Sequence, residues 1–332
     1  MSASVDVVKS RRPAWSRKAM PALYVLLIAC SVLGSFIYKL RTEGIFACPA
    51  SGYGSNAYLT ECTAKAYGDY DHGAFWFGLE PQAQRAAAAA DVLIVGSSRL
   101  QFAFSGEATA KWFSQIGIRY YLLGFSNTEN VVFFAPLLAK MQARARVYVI
   151  NVDRFFDDDR VSPPTERILQ DRDIRKRYEE KQTWQLLHKR ICEVLPFMCG
   201  TAVAVYRERE AGIWHLKGTV GFGAEEVSDG QSRNVERWDH YAQLGEKFIA
   251  QLPVDRSCVI LTVVPTVETR RAEAVAIAAK LDLDLLAPQI DGLRTFDGSH
   301  LEEASGERWS AAFLQEAEPR IRKCVSEAKP SS

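Results

Sequence analysis

Two short segments that lie far apart in the chain carry side chains capable of nucleophilic chemistry together. The first is Gly96-Ser97-Ser98, and the second is Phe296-Asp-Gly-Ser-His-Leu301, in which Asp297 precedes His300 by three residues. Serine, histidine and aspartate are the parts of an activated nucleophile, the base that takes its proton and the group that orients this base. The serines could instead only cap a helix. Taken together, the two segments predict a catalytic triad of Ser98, His300 and Asp297.

The residues before Ser97 predict the strand that would position these hydroxyls. Residues 92–96 are an apolar run without polar alternation, which is typical of a strand buried on both faces of a parallel sheet. The run ends at the serines, so they would lie at the carboxyl end of a central strand, where ligands bind in open α/β sheets. Near a helix N-terminus, a serine can present both its Oγ and its backbone N–H to the same space.

The alternation of strand and helix continues along the chain. Further buried strands are predicted at 118–123, 147–150 and 259–264, with a short fifth strand at 281–286. Helices are predicted at 108–116, 130–142, 234–251, 269–280 and 303–321. Connections of this kind imply right-handed crossovers. The sequence therefore predicts an α/β fold with a parallel sheet whose polar strand ends collect along one edge.

An uncharged apolar stretch at 19–38 follows a basic N-terminus and has about the length that a helix needs to cross a bilayer. The excess of positive charge before it predicts a cytoplasmic N-terminus with the main domain on the other side of the membrane. A cleaved signal peptide has a shorter apolar region. A lipoprotein-like box at 27–30 is followed by more apolar sequence, which favours an uncleaved anchor. The basic residues are Lys9, Arg11, Arg12, Arg17 and Lys18.

The composition favours an exported domain with disulfides. A chain of 332 residues, 48% of them apolar, can bury a large core, and its net charge of +1 gives no sign of nucleic-acid binding. Outside the apolar stretch, which contains Cys30, an even number of cysteines suits an oxidising compartment. Several connectivities, or buried free thiols, are open alternatives. We predict the pairs Cys48–Cys62, Cys192–Cys199 and Cys258–Cys324, and no metal site, because the histidines are scattered and no Cys-x-x-Cys occurs.

The domain organisation is predicted from the regions in which strands and helices alternate and those in which they do not. The alternation fails between about 154 and 232, which we interpret as an inserted subdomain that could cover the site. Within the lead-in, Asp69-Tyr-Asp-His72 is interpreted as part of an aromatic surface patch. The acidic triplet at 157–159 lacks a full calcium-loop pattern and is interpreted as a solvated loop. The predicted regions are a cytoplasmic N-terminus at 1–18, a transmembrane helix at 19–38, a disulfide-clipped, irregular lead-in at 39–90, the α/β domain at 91–325 and a tail at 326–332.

These residues resemble the SGNH/GDSL hydrolase superfamily, over about 91–322 apart from the insertion. In that family the nucleophile is the last residue of a Gly-Asp-Ser-type turn after the first strand, which corresponds to Ser98. Its Asp-x-x-His element near the C-terminus corresponds to Asp297 and His300. The resemblance implies a flavodoxin-like three-layer α/β fold, and no cofactor is expected.

The chain departs from the family pattern in the second and third blocks. The second-block glycine, whose N–H helps to hold the oxyanion, is replaced by Asn127, a residue that can adopt the same left-handed backbone. The third block, Gly-x-Asn-Asp in hydrolases, is replaced by Asn151-Val-Asp153. The implied oxyanion hole thus consists of Ser98, Asn127 and Asn151. Such a degenerate hole is compatible with transferase chemistry or with no catalysis.

The resemblance implies an esterase or O-acyltransferase of cell-envelope glycans, anchored in a bacterial inner membrane with its main domain in the periplasm. The implied partners are an acylated glycan or acyl donor, the lipid bilayer and, for a transferase, a multi-spanning membrane acyltransferase. The alternative is a non-catalytic, membrane-tethered glycan-binding or assembly protein of the same fold. Its sugar platforms would be exposed aromatic side chains, namely Trp76, Trp214 and Trp238.

Overall fold

The computed structural model describes residues 19–54, 56–64, 66–218 and 223–327. The predicted cytoplasmic segment at 1–18 and most of the predicted tail lie outside the described residues. The helices are α1 Ala19–Thr42, α2 Asp71–Phe77, α3 Pro81–Ala88, α4 Ser98–Phe104, α5 Glu107–Ile116, α6 Val131–Met141, α7 Pro163–Gln170, α8 Ile174–Val194, α9 Trp238–Ile249, α10 Arg271–Lys280 and α11 Glu303–Glu327. The strands are β1 Ala57–Cys62, β2 Gly68–Asp69, β3 Val92–Ser97, β4 Tyr120–Phe125, β5 Val147–Asn151, β6 Ala204–Glu208, β7 Trp214–Lys217, β8 Glu225–Glu226, β9 Val259–Thr262 and β10 Arg294–Thr295.

A four-stranded parallel sheet in the order β4-β3-β5-β9 forms the centre of the fold. The four long strands predicted from apolar runs are confirmed, with shifted ends. The predicted fifth strand is wrong, because only Leu285 forms a bridge, to Leu261. The residues before it are used to end α10: Asp282 has a left-handed φ of 50°, and the Leu283 N–H donates to Ala278 O.

Helices cover both faces of this sheet, which is why its strands are apolar without alternation. Side chains of α6, α9 and α10 pack on the face that carries Leu93 and Val95. Side chains of α4, α5 and α11 pack on the face that carries Val92 and Ile94. The sheet and its covering helices hold the carboxyl ends of β3, β4, β5 and β9 in fixed positions.

The prediction of an irregular lead-in at 39–90 is wrong, because this segment contains β1, β2, α2 and α3. Strand β1 pairs antiparallel with β6 of the insertion, and the sheet order is β2-β1-β6-β7. The lead-in and the insertion therefore fold together as one unit. Their pairing could not be predicted locally, since the two strands lie about 140 residues apart in the chain.

The three predicted disulfides, Cys48–Cys62, Cys192–Cys199 and Cys258–Cys324, are formed. The first clips the lead-in, and the third ties α11 to the turn before β9. Cys30 is exposed on α1. The segment Met20–Thr42 is long and apolar enough to span a membrane, and the disulfides are consistent with an oxidising compartment.

Candidate active site

The turn after β3 separates the two roles that a serine could have there. Ser97 is buried and is the N-cap residue of α4, with its Oγ accepting from Arg99 N at 3.4 Å. Ser98 is the first residue of α4 and is only partly buried. Because it opens the helix, its backbone N–H has no acceptor within the helix. The capping function thus belongs to Ser97 and leaves the Ser98 hydroxyl available.

The turn is tightly packed against its neighbouring strands. A Cβ at Gly96 would lie 3.0 Å from Asn151 Cβ, and a Cβ at Gly124 would lie 2.7 Å from the Ser97 carbonyl oxygen. Gln101 of α4 is fully buried and donates to Leu122 O at 2.9 Å. These close approaches fix the start of α4 relative to β4 and β5.

The loop of Asp297 and His300 is shaped by the aspartate itself. Its Oδ1 accepts from the backbone N–H groups of Ser299, at 2.9 Å, and of His300, at 2.8 Å. Gly298 adopts a left-handed φ of 78°, and Thr295 Oγ1 accepts from its N–H. The Asp-x-x-His spacing therefore makes a turn that holds the imidazole over its own carboxylate.

The structure brings the three predicted triad side chains together. His300 Nε2 lies 2.8 Å from Ser98 Oγ, and His300 Nδ1 lies 2.7 Å from Asp297 Oδ2. With the ring proton on Nδ1, the imidazole donates to Asp297 and accepts from the Ser98 hydroxyl. Burial alone would raise the pKa of Asp297, but the hydrogen bond and charge of His300, together with the backbone N–H groups of Ser299 and His300, lower it below its usual value. Asp297 is therefore ionised at neutral pH and can stabilise an imidazolium.

Arg99, which the sequence reasoning missed, connects this loop to the sheet. Its Nε donates to Ser299 Oγ at 2.9 Å, and its Nη1 forms an ion pair with the buried carboxylate of Asp153, just beyond β5. One guanidinium thus holds the loop of His300 against the strand ends. The available signal was the arginine directly after the nucleophile turn.

Comparisons of this chain with family models, with curated proteins and with solved structures give no match.

Two candidate oxyanion donors have different environments. Asn127 lies in the exposed loop after β4 with a φ of 63°, the left-handed conformation predicted for it, and its side chain bonds Ser126. Asn151 is buried at the end of β5, where its Oδ1 accepts from Val264 N at 3.1 Å. Its Nδ2 is buried and has no hydrogen-bond partner among the described residues. Asn151 packs against Gly96 and thus holds an unused donor beside the nucleophile turn.

Aromatic side chains form one wall of the site. The His300 ring contacts Phe102 edge-on, with 4.9 Å between centroids, and stacks on Phe296 at 5.6 Å. Trp214 packs behind Phe102 and is only 5% exposed, so its predicted role as an exposed platform is wrong. The other two tryptophans that were predicted as sugar platforms are partly buried. Trp76 stacks on Phe133, and Trp238 donates to a backbone carbonyl.

The predicted surface patch around Asp69-Tyr-Asp-His72 is instead a buried polar network. His72 is fully buried between Asp69, 2.7 Å from its Nδ1, and Glu129, 2.8 Å from its Nε2. Burial alone would lower the pKa of His72, but Asp69 and Glu129 raise it to about 10, so the ring is an imidazolium at neutral pH. Glu129 also accepts from the hydroxyls of Ser162 and Thr165. The network thus fastens the loop of Asn127 to the lead-in and the insertion.

The acidic triplet is at least partly exposed, as a solvated loop would be, but two of its carboxylates also have side-chain partners. Asp158 lies 2.9 Å from His240 Nε2 and 3.1 Å from Arg237, and Asp159 accepts from the Tyr241 hydroxyl at 2.6 Å. These contacts attach the loop after β5 to the start of α9. His240 is therefore occupied by a carboxylate partner.

Within the described ranges, His188, Cys192 and Cys199 lie close enough together to be considered as metal ligands. Both sulfurs belong to one disulfide. The ring nitrogens of His188 bond the Tyr53 hydroxyl and Cys48 O. This group is structural and has no free ligand atoms.

Proposed function

We propose that this chain is a membrane-anchored serine esterase or O-acyltransferase that acts on acyl esters of cell-envelope glycans through an acyl-serine intermediate. The observation that carries the proposal is the continuous contact from Ser98 Oγ through His300 to Asp297, with distances of 2.8 and 2.7 Å. The resemblance to the SGNH/GDSL superfamily, with its flavodoxin-like three-layer fold, supports the same reaction class. The strand order β4-β3-β5-β9 agrees with that topology.

The reaction begins when His300 Nε2 takes the proton of Ser98 as its Oγ attacks the ester carbonyl carbon. Asp297 holds the ring orientation and stabilises the imidazolium. The tetrahedral oxyanion is held by the backbone N–H groups of Ser98 and Asn127 and by the free Nδ2 of Asn151. One such donor is typically worth about 3 kcal/mol of barrier lowering. His300 then returns its proton to the leaving hydroxyl oxygen, and the acyl group stays on Ser98.

The second half of the reaction transfers the acyl group to a hydroxyl. His300 deprotonates water in an esterase, or a sugar hydroxyl in a transferase, and Ser98 is regenerated. We place the site in the periplasm of a bacterium, tethered to the inner membrane by α1. A transferase would receive its acyl groups from a multi-spanning membrane acyltransferase, whereas an esterase would need no such partner.

The test uses the full chain in detergent with an O-acetylated oligosaccharide, with and without an unacetylated acceptor. The proposal predicts release of acetate or its transfer to the acceptor by the wild-type protein and neither by Ser98→Ala. Retained binding of the oligosaccharide without release or transfer by the wild-type protein would support the non-catalytic, glycan-binding alternative. Transfer in excess of release would identify a transferase.

Arg99 is expected to act as a positioning residue for His300. Its replacement by alanine should lower kcat for p-nitrophenyl acetate by about 10-fold to 100-fold with little change in KM, because the loop of Ser299 and His300 is no longer held against Asp153. Arg99→Lys should restore little, since an ammonium cannot bridge both partners as a planar guanidinium does. A rise in KM with unchanged kcat would show that Arg99 binds substrate instead.

A further inference from the structure

A cleft of about 830 Å³ lies at the carboxyl edge of the parallel sheet, among the loops that follow β4 and β5. The loops after β4 and β5 and the segment before α10 form its walls. Four arginines line it, namely Arg154, Arg160, Arg233 and Arg270, together with two carboxylates, Asp157 and Asp159. These side chains take no part in the proposed catalytic steps.

The arginines differ in how their charge is compensated. Arg233 pairs with Glu268 and Arg270 with Glu273, at 3.2 Å each. Asp159 forms an ion pair with Arg237 and accepts a hydrogen bond from the Tyr241 hydroxyl. Within the described part of the chain, neither Arg154 nor Arg160 forms an ion pair or a side-chain hydrogen bond. The cleft therefore holds two guanidinium groups without a direct partner, of which Arg154 is partly buried and Arg160 is exposed. The carboxylates of Asp153 and Asp157 compensate the charge of Arg154 only in part, without an ion pair.

Arg154 is the unusual member of this set. It is partly buried, and this burial, followed by repulsion from Arg270, lowers the pKa of its guanidinium, although the charges of Asp153 and Asp157 act in the opposite direction. Its backbone is left-handed, with a φ of 57°. A partly buried guanidinium that has a like charge beside it and no hydrogen-bonded partner is stabilised when an anion binds it.

Strained backbone is concentrated at the same cleft. Six non-glycine residues of the described chain have a positive φ, and four of them line the cleft: Asn127, Thr128, Arg154 and Asn234. Such conformations persist where the surrounding structure enforces them, and they cluster at ligand sites.

The cleft is connected to the nucleophile through one ion pair. Arg154 directly follows Asp153, and Asp153 pairs with Arg99, the residue after Ser98. On the other side, Val267 N donates to Gly298 O in the loop of His300, three residues before Arg270 in the chain. The walls of the cleft are therefore continuous in the chain with the residues that position Ser98 and His300.

We propose that this cleft binds an anionic group of the glycan that carries the acyl ester, through Arg154 and Arg160. The inference rests on the proposed function and narrows its substrate class to anionic glycans. The group is a carboxylate or a phosphate, since both accept paired hydrogen bonds from a guanidinium. Two oligomers distinguish these sources: an oligouronate and an oligo(glycerol phosphate).

The test measures binding by calorimetry to the full chain with Ser98→Ala, so that no turnover is needed. At least one anionic oligomer should bind at least tenfold more tightly than a neutral oligosaccharide of equal length. Adding Arg154→Asn, which removes the charge and tolerates the left-handed backbone, should weaken that binding by about 10-fold to 100-fold. Adding Arg160→Gln should weaken it by about threefold. The oligomer that binds more tightly identifies the anionic group.

The matched control is Arg172→Ala, an exposed arginine outside the cleft, which should leave the affinity unchanged. Equal affinity for anionic and neutral oligomers, or equal losses in the Arg154 and Arg172 variants, would overturn the inference. If Arg154→Asn does not fold, an Arg160→Gln variant that loses no affinity would overturn it. Selective binding without ester turnover by the wild-type protein would instead contradict the proposed function and leave the anion site standing.

Discussion

Ser98→Ala and His300→Ala are each expected to reduce kcat for p-nitrophenyl acetate by at least about 10⁴-fold. Either change removes a member of a unit that works only when complete, and the activity that remains comes from the oxyanion donors and binding alone. Asp297→Asn should cost about 10³-fold to 10⁴-fold, because an amide no longer fixes the tautomer of His300 or stabilises its positive charge. Steady-state kinetics of the purified chain in detergent measures all three variants.

The control for this series is Ser97→Ala. Ser97 is adjacent to Ser98 in the chain, but its Oγ only caps α4. Loss of the cap should lower the free energy of unfolding by about 1 kcal/mol and leave most of the turnover. If Ser97→Ala removed activity as fully as Ser98→Ala, the assignment of the nucleophile would be wrong.

Arg207→Ala is expected to lower the free energy of unfolding by about 3–5 kcal/mol. Arg207 is fully buried on β6, and its Nη2 lies 2.7 Å from Asp71 Oδ2. It also donates to the carbonyl oxygens of Leu122 and Gly124 at the end of β4. The substitution would leave a buried carboxylate and two carbonyls without this partner. Urea denaturation of both proteins measures the difference.

A double variant distinguishes the effect of leaving a buried charge unpaired from the effect of lost packing. Arg207→Met with Asp71→Leu removes both charges together, and it should be more stable than Arg207→Ala. The single variant should also weaken turnover, since Arg207 supports the strand end that leads to Asn127. A loss below about 1 kcal/mol in Arg207→Ala would show that the buried pair does not hold the two sheets together.

The parallel sheet could be predicted because its signals are local. Each strand is an apolar run whose ends are marked by glycine or polar residues, and the helices between have regular spacing. The fifth strand failed for a local reason as well, since Asp282 turns the chain back to end α10. The triad followed from residue type and from an Asp-x-x-His spacing that makes its own turn.

The other contacts around the site could not be predicted, because they join distant parts of the chain. Pairing of β1 with β6 buries Asp71 and Arg207, and the contact of His72 with Glu129 joins the lead-in to the loop after β4. In the sequence, Asp69 to His72 is surrounded by aromatic residues and is indistinguishable from a surface patch. The positioning role of Arg99 likewise could not be predicted, because its partners Asp153 and Ser299 are distant in the sequence.

The most direct test of the central claim is labelling with a fluorophosphonate, which reacts with an activated serine. The proposed mechanism predicts stoichiometric labelling of the wild-type chain, with the modified peptide containing Ser98 and not Ser97 as the labelled residue. Labelling should be lost in His300→Ala, because the base that activates the hydroxyl is missing. A wild-type chain that is folded but stays unlabelled, or a label on another residue, would contradict the claim that Ser98, His300 and Asp297 form a working triad.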